Sequence, residues 1–159
     1  VFAMAELCLP GDNRAMTTGR SKGKLAKFVK LDGLDRRLLV RAVFWLAVAR
    51  LRLVLTPFQK LATRLASEQG GSEPDPELVT RVGLAVSRAA ANVPWRSDCF
   101  PQTIAARSML KRYGYASTVH LGVDRVGADE LLGHAWLTCG DTVLTGGADI
   151  DRFTEVHRL

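Results

Sequence analysis

The chain has 159 residues, about half of them apolar, a size and composition that suit one globular domain and exclude a disordered one. Twenty-two Lys+Arg against 16 Asp+Glu leave a net charge of +6, but no aromatic-basic motif accompanies it. Acidic peptide or protein partners are equally compatible with that charge, and nucleic acid is not expected. Three cysteines, at 8, 99 and 139, form no CxxC pair. The expectation is no disulfide framework, no metal and no cofactor, in a reducing, cytoplasmic setting.

Residues 1–33 read as a tail, with a basic lead-in of Lys22, Lys24, Lys27 and Lys30. Pro10, Gly11, Asp12 and Asn13 break its weak apolar run, so it does not read as a signal peptide. Residues 34–159 read as one catalytic domain, with a helical front over 34–68 and a Cys/His core over 76–159. Leu34 to about Leu55 reads as a long helix with two apolar faces. One carries Leu38, Ala42, Trp45, Ala49 and Leu53, the other Val40, Phe44, Ala47 and Leu51. One face must meet the catalytic core. The other is either covered by a second helix, resuming after Pro57 to about Ser67, or left to a partner. The longest apolar run, Ala42 to Ala49, is eight residues, against the ~20 that a membrane span needs. Membrane association is not expected.

The loop Gln69-Gly-Gly-Ser-Glu-Pro-Asp-Pro76 leads to a helix from Pro76 to about Asn92, with Leu78, Val82, Ala85, Val86 and Ala89 as its buried stripe. A third helix is expected from Cys99 to about Tyr113, capped by Ser97 or Asp98. Val119, Leu121 and Val123 alternate as a strand, and 124–132 reads as a charged loop. His134–Cys139 and Thr142–Thr145 then form a hairpin around Gly140-Asp141. Helices followed by antiparallel strands make the class α+β.

Cys99 stands where a helix dipole and first-turn amides stabilise a thiolate and an oxyanion. His134, on a strand 134 − 99 = 35 residues later, is positioned to meet it across helix–sheet packing. The third group is less determined. If Gly140 and Asp141 are the two loop residues, paired numbers sum to 281, so Gly147 faces His134 and Asp149 shares its face. Asp149 is the candidate, Asp151 an alternative if the chain bends, and a Cys–His dyad the third possibility. Asp141, in the turn, is a poor candidate, and His120 receives no role.

The segments Pro94-Trp95-Arg96-Ser97-Asp98-Cys99-Phe100-Pro101-Gln102, Gly114-Tyr115, Leu121-Gly122-Val123 and Gly133-His134-Ala135-Trp136-Leu137 resemble the leader peptidases of lasso-peptide biosynthesis over about residues 34–159. The resemblance implies a transglutaminase-like, papain-related core: a catalytic Cys at a helix N-terminus packed on a small antiparallel sheet. It implies a thiol protease that removes the leader from a ribosomally made precursor, before a separate ATP-dependent cyclase closes the macrolactam. With no room for a recognition domain ahead of residue 34, it implies the split form. The partners would be the leader, a separate leader-recognition protein and, as a further candidate, the cyclase. Cys99 and His134 match the family's catalytic positions. Where the family carries its aspartate, this chain has Gly146-Gly147. Two other readings of the residues are acyl transfer to an amine and a non-catalytic peptide-binding scaffold.

Overall fold

A computed structural model describes residues 31–57, 59, 60, 63, 71–126, 130–148 and 150–159. It contains α1 (Gly33–Leu55), α2 (Pro76–Ala90), α3 (Cys99–Lys111), β1 (Thr118–Val126), β2 (Glu130–Cys139), β3 (Thr142–Thr145), a 3-10 turn (Ile150–Arg152) and β4 (Thr154–Arg158). The strands make one antiparallel sheet in the order β3-β2-β1-β4. The fold is α+β, with α2 and α3 packed on one face of that sheet and α1 packed on those two helices.

Each helix begins where the local chemistry permits it. The Asp32 carboxylate accepts the Gly33 N–H at 2.6 Å to open α1. Asp75 accepts the Glu77 N–H at 2.9 Å to open α2, and Pro76 takes its first turn. Of the two apolar faces of α1, the one carrying Leu38, Ala42, Leu46 and Ala49 is fully buried. It packs against α2 and α3. The other leaves Val40, Phe44, Leu51 and Leu55 more than half exposed. Truncating a buried leucine such as Leu38 to alanine costs about 2–5 kcal/mol. Arg81 of α2 adds a polar tie, reaching Asp35 of α1 at 3.2 Å and Glu77 at 2.8 Å. The expected second helix of the front falls mostly outside the described residues.

The helix-facing side of the sheet carries Val119, Leu121, Ala135, Leu137 and Cys139, all in the core. Arg107 of α3 is buried and donates to the carbonyls of Ser117 (3.0 Å) and Leu159 (3.2 Å). It thereby ties α3 to the start of β1 and to the C-terminal residue, which pairs with Val119.

Three expectations about the strands need correction. Residues 124–126 and 130–132 are strand and not loop: β1 continues to Val126 and β2 starts at Glu130, with Asp124 opposite Leu132. β4 adds a strand that the polar run Thr154–Arg158 does not advertise. The third concerns register. Cys139 faces Thr142 and Thr138 faces Val143 as expected, but an irregularity follows and Thr145 faces Leu137, not Trp136. One extra residue on β3 exchanges the faces of everything beyond it. Thr145 accordingly turns inward to α3 and is buried, so the constant pairing sum of 281 does not hold beyond Val143.

Candidate active site

Cys99 is the first residue of α3 and is 8% exposed. Asp98 precedes it in extended backbone and supplies no side-chain cap, against expectation. Its carboxylate lies 3.5 Å from Arg96 instead. The Gln102 side chain donates to the Ser97 carbonyl at 2.7 Å, closing the entry loop onto the helix. Near Cys99, Trp95 Nε1 and Ser97 Oγ are buried with no hydrogen-bond partner among the described residues. Such groups cost about 1–3 kcal/mol each and are worth retaining where they serve a site. The Cys99 sulfur is engaged in a disulfide, against the expectation of a chain without one. Any thiolate chemistry at Cys99 therefore belongs to the reduced protein. Cys139 is a buried free thiol. It donates to the Ala116 carbonyl at 3.2 Å, and burial raises its pKa, so it stays protonated.

One helical turn beyond Cys99, the Thr103 hydroxyl donates to the Cys99 carbonyl at 2.9 Å. The same oxygen lies 3.3 Å from Thr145 Oγ1 and 3.5 Å from the carbonyl oxygen of Ala135, the residue after His134. The next residue of the chain after Thr145, Gly146, accepts a 2.8 Å hydrogen bond from His134 Nε2. The Thr145–Gly146 dipeptide is thus bracketed by the first turn of α3 on one side and the His134 ring on the other. Strand alternation sends the His134 side chain to the face away from the helices. The ring therefore reaches Gly146 where β3 ends and the sheet edge opens. The contacts join the backbone at Cys99 to the backbone beside His134 through Thr103.

On that outer face the aromatic rings stack. His134 lies 4.6 Å from Phe153 and 6.1 Å from Trp136, and Trp136 lies 5.3 Å from His120 with the rings nearly parallel. Gly122 makes this possible: a Cβ there would meet Trp136 and Phe153 at 2.8–3.0 Å. His120 is buried. Its Nδ1 donates to Glu155 Oε2 at 3.1 Å and its Nε2 lies 2.9 Å from Thr138 Oγ1.

Of the candidate third groups, Asp149 lies outside the described residues. Asp151 is exposed in the 3-10 turn and Asp141 is exposed in the hairpin turn. The group that does meet His134 is one that side-chain reasoning passes over, a backbone carbonyl. The signal for it is the Gly146-Gly147 pair, standing where a carboxylate is expected. Phe153 and Thr103 were also missed, since neither residue type suggests chemistry.

Among the described residues no group of His, Cys, Asp and Glu forms a metal site, and no helix is long and apolar enough to cross a membrane. A family model described as the transglutaminase-like superfamily matches residues 42–158, most of the chain. Neither a curated protein nor a solved structure matches it.

Proposed function

Because this chain belongs to the transglutaminase-like superfamily, whose activities are of the cysteine peptidase or acyltransferase type, we infer that it is a cysteine peptidase. Cys99 is the nucleophile and His134 the base. The finer reading is removal of the leader from a lasso-peptide precursor before a separate cyclase forms the macrolactam. That reading rests on the Trp95-x-x-x-Cys99 and Gly133-His134-Ala135-Trp136 segments.

The observation that carries the acid–base assignment is the His134–Gly146 bond. A carbonyl oxygen only accepts, so Nε2 bears the proton and the neutral ring offers a lone pair at Nδ1. In the reduced protein Nδ1 takes the Cys99 thiol proton, and the thiolate attacks the carbonyl carbon of the scissile peptide bond. The tetrahedral oxyanion is stabilised by the amides and dipole at the start of α3. Collapse expels the amine, which takes the proton back from the imidazolium. Water, deprotonated by the same ring, then hydrolyses the thioester. A reducing, cytoplasmic environment keeps the thiol available.

The exposed strip of α1 is the docking surface in this reading. Val40, Phe44, Leu51 and Leu55 lie along it, and Arg37, Arg41, Arg50 and Arg52 lie beside it. An acidic, leader-bound recognition protein suits that surface. The test incubates the reduced chain with precursor and recognition protein, and follows the products by mass spectrometry. A free leader carboxylate is expected. A leader joined to an added amine would establish acyl transfer instead, and intact precursor would overturn both.

A further inference from the structure

We propose that the Gly146 backbone carbonyl is the orienting group of His134, taking the place of a carboxylate. This rests on the catalytic reading of His134 but makes a separate claim about the ring. Three observations carry it. The first is the 2.8 Å bond from Nε2 to the Gly146 oxygen. The second is the conformation that delivers it: Gly146 has φ +70°, a left-handed backbone that costs an L-residue roughly 1–2 kcal/mol. A Cβ there would also collide with the Ala135 carbonyl oxygen and with Trp136. An aspartate cannot occupy this position with the backbone as it stands. The glycine that departs from the family pattern is the residue that lets the main chain press against β2 and aim its own oxygen at the imidazole.

The third observation is the fit of the ring. Phe153 at 4.6 Å lies against His134 with the planes 24° apart, and Trp136 follows at 6.1 Å. The ring is held against flipping, and a flip would put the Cε1 carbon where Nε2 now meets the carbonyl. With Nε2–H committed to the carbonyl, Nδ1 carries the lone pair and carries no hydrogen bond among the described residues. His120 provides an internal contrast. A carboxylate accepts from its Nδ1, so its lone pair sits on Nε2, where Thr138 Oγ1 can donate to it. When both rings are neutral, the two histidines therefore carry opposite tautomers.

The experiment is long-range 1H–15N correlation on the full chain, labelled at histidine and reduced, at a pH where the rings are neutral. Single histidine substitutions assign the three signals. His134 is expected as the Nε2–H tautomer and His120 as Nδ1–H. Replacing Gly147 by glycolic acid then turns the Gly146 carbonyl into an ester, a weaker acceptor, without adding a Cβ. In that variant the His134 tautomers are expected to mix, and kcat to fall roughly tenfold with KM within about twofold, as for a group that acts on the base and not on substrate binding. Asp149→Asn is expected to leave the tautomer unchanged. A wild-type Nδ1–H tautomer at His134, an ester variant with unaltered tautomer, or a tautomer lost in Asp149→Asn would each overturn the proposal. Full cleavage by His134→Ala with the expected wild-type tautomer would instead sink the catalytic reading while the carbonyl's hold on the ring stood.

Discussion

His120 and His134 stand on neighbouring strands, on the same face of the sheet, with Trp136 stacked between them. By charge, His120 looks the better equipped for catalysis, since it has a carboxylate on Nδ1 and a hydroxyl on Nε2. That is also what disqualifies it. Both nitrogens are occupied, the side chain is buried, and Glu155 is further held by Arg158 at 2.9 Å. His134 has a neutral carbonyl on one nitrogen and remains half-buried. A saturated histidine serves the fold, fastening β4 and β2 to β1. His134, half-saturated among the described residues, has a nitrogen left for chemistry. The number of unclaimed ring positions distinguishes them better than the strength of any one partner.

The largest expected effect separates the two directly. In the reduced protein Cys99→Ala should abolish cleavage, and His134→Ala should lower the rate by about 10²–10⁴-fold, both with little change in a denaturation midpoint. His120→Ala should do the reverse. Its rate should hold near wild type while stability falls by about 1–3 kcal/mol, because Thr138 and Glu155 lose a buried partner. Equal rate losses at the two histidines would erase the contrast.

Gly146→Asp, which puts a carboxylate where the leader-peptidase resemblance implies one, should weaken the protein by at least about 1–2 kcal/mol. The φ of +70° and the collision with Ala135 both oppose it. Chemical denaturation of the purified variant checks this, and an undiminished midpoint would show that the backbone at 146 adapts freely.

The Glu155 clasp gives a signed pH dependence. The hydrogen bond from Arg158, followed by that from His120, holds the Glu155 carboxyl below its usual range. A depressed carboxylate pKa means stability that is present above the unfolded pKa and lost as pH falls through the folded one. Glu155→Gln should therefore be less stable than wild type at neutral pH, and the two curves should converge on the acid side of the carboxylate range. A constant offset across the titration would remove Glu155's charge from the explanation. Because the pair is largely at the surface, added salt should shrink the difference.

The smallest stability effect concerns α1. Phe44 is 59% exposed, so Phe44→Asp should move stability by no more than about 0.5 kcal/mol. Cleavage of precursor presented by its recognition protein should weaken, while a small thiol reagent should still label Cys99 after reduction. Loss of both together would make the strip part of the core and remove the docking surface.

Much of the helical half was legible in the residue order. Leu38, Ala42 and Ala49 recur at helical spacing, Asp75-Pro76 announces a helix start, and Cys99 falls on the first residue of α3 as its neighbours suggest. These depend on interactions within a few residues. Leu46, by contrast, lies outside the stripe that spacing marks and is completely buried, since only the position of α2 and α3 decides the exact width of the buried face. β4 was invisible because every residue from Thr154 to Arg158 is exposed, so no apolar alternation marks it.

By itself the sequence determined the α+β class, the three helices and the coming of a Cys-bearing helix before a His-bearing strand. Periodicity, caps and turn residues write such things locally. What tertiary structure alone decided is which groups meet. A single irregularity between Leu137 and Thr138 on the β2–β3 ladder turned Thr145 inward and brought Gly146 to His134. Arithmetic on residue numbers assumes an unbroken pairing. Strand registry counts in whole residues, so one extra residue reverses every face beyond it. The partner of an imidazole is then set by where a distant backbone oxygen comes to rest, a fact that no side-chain identity records.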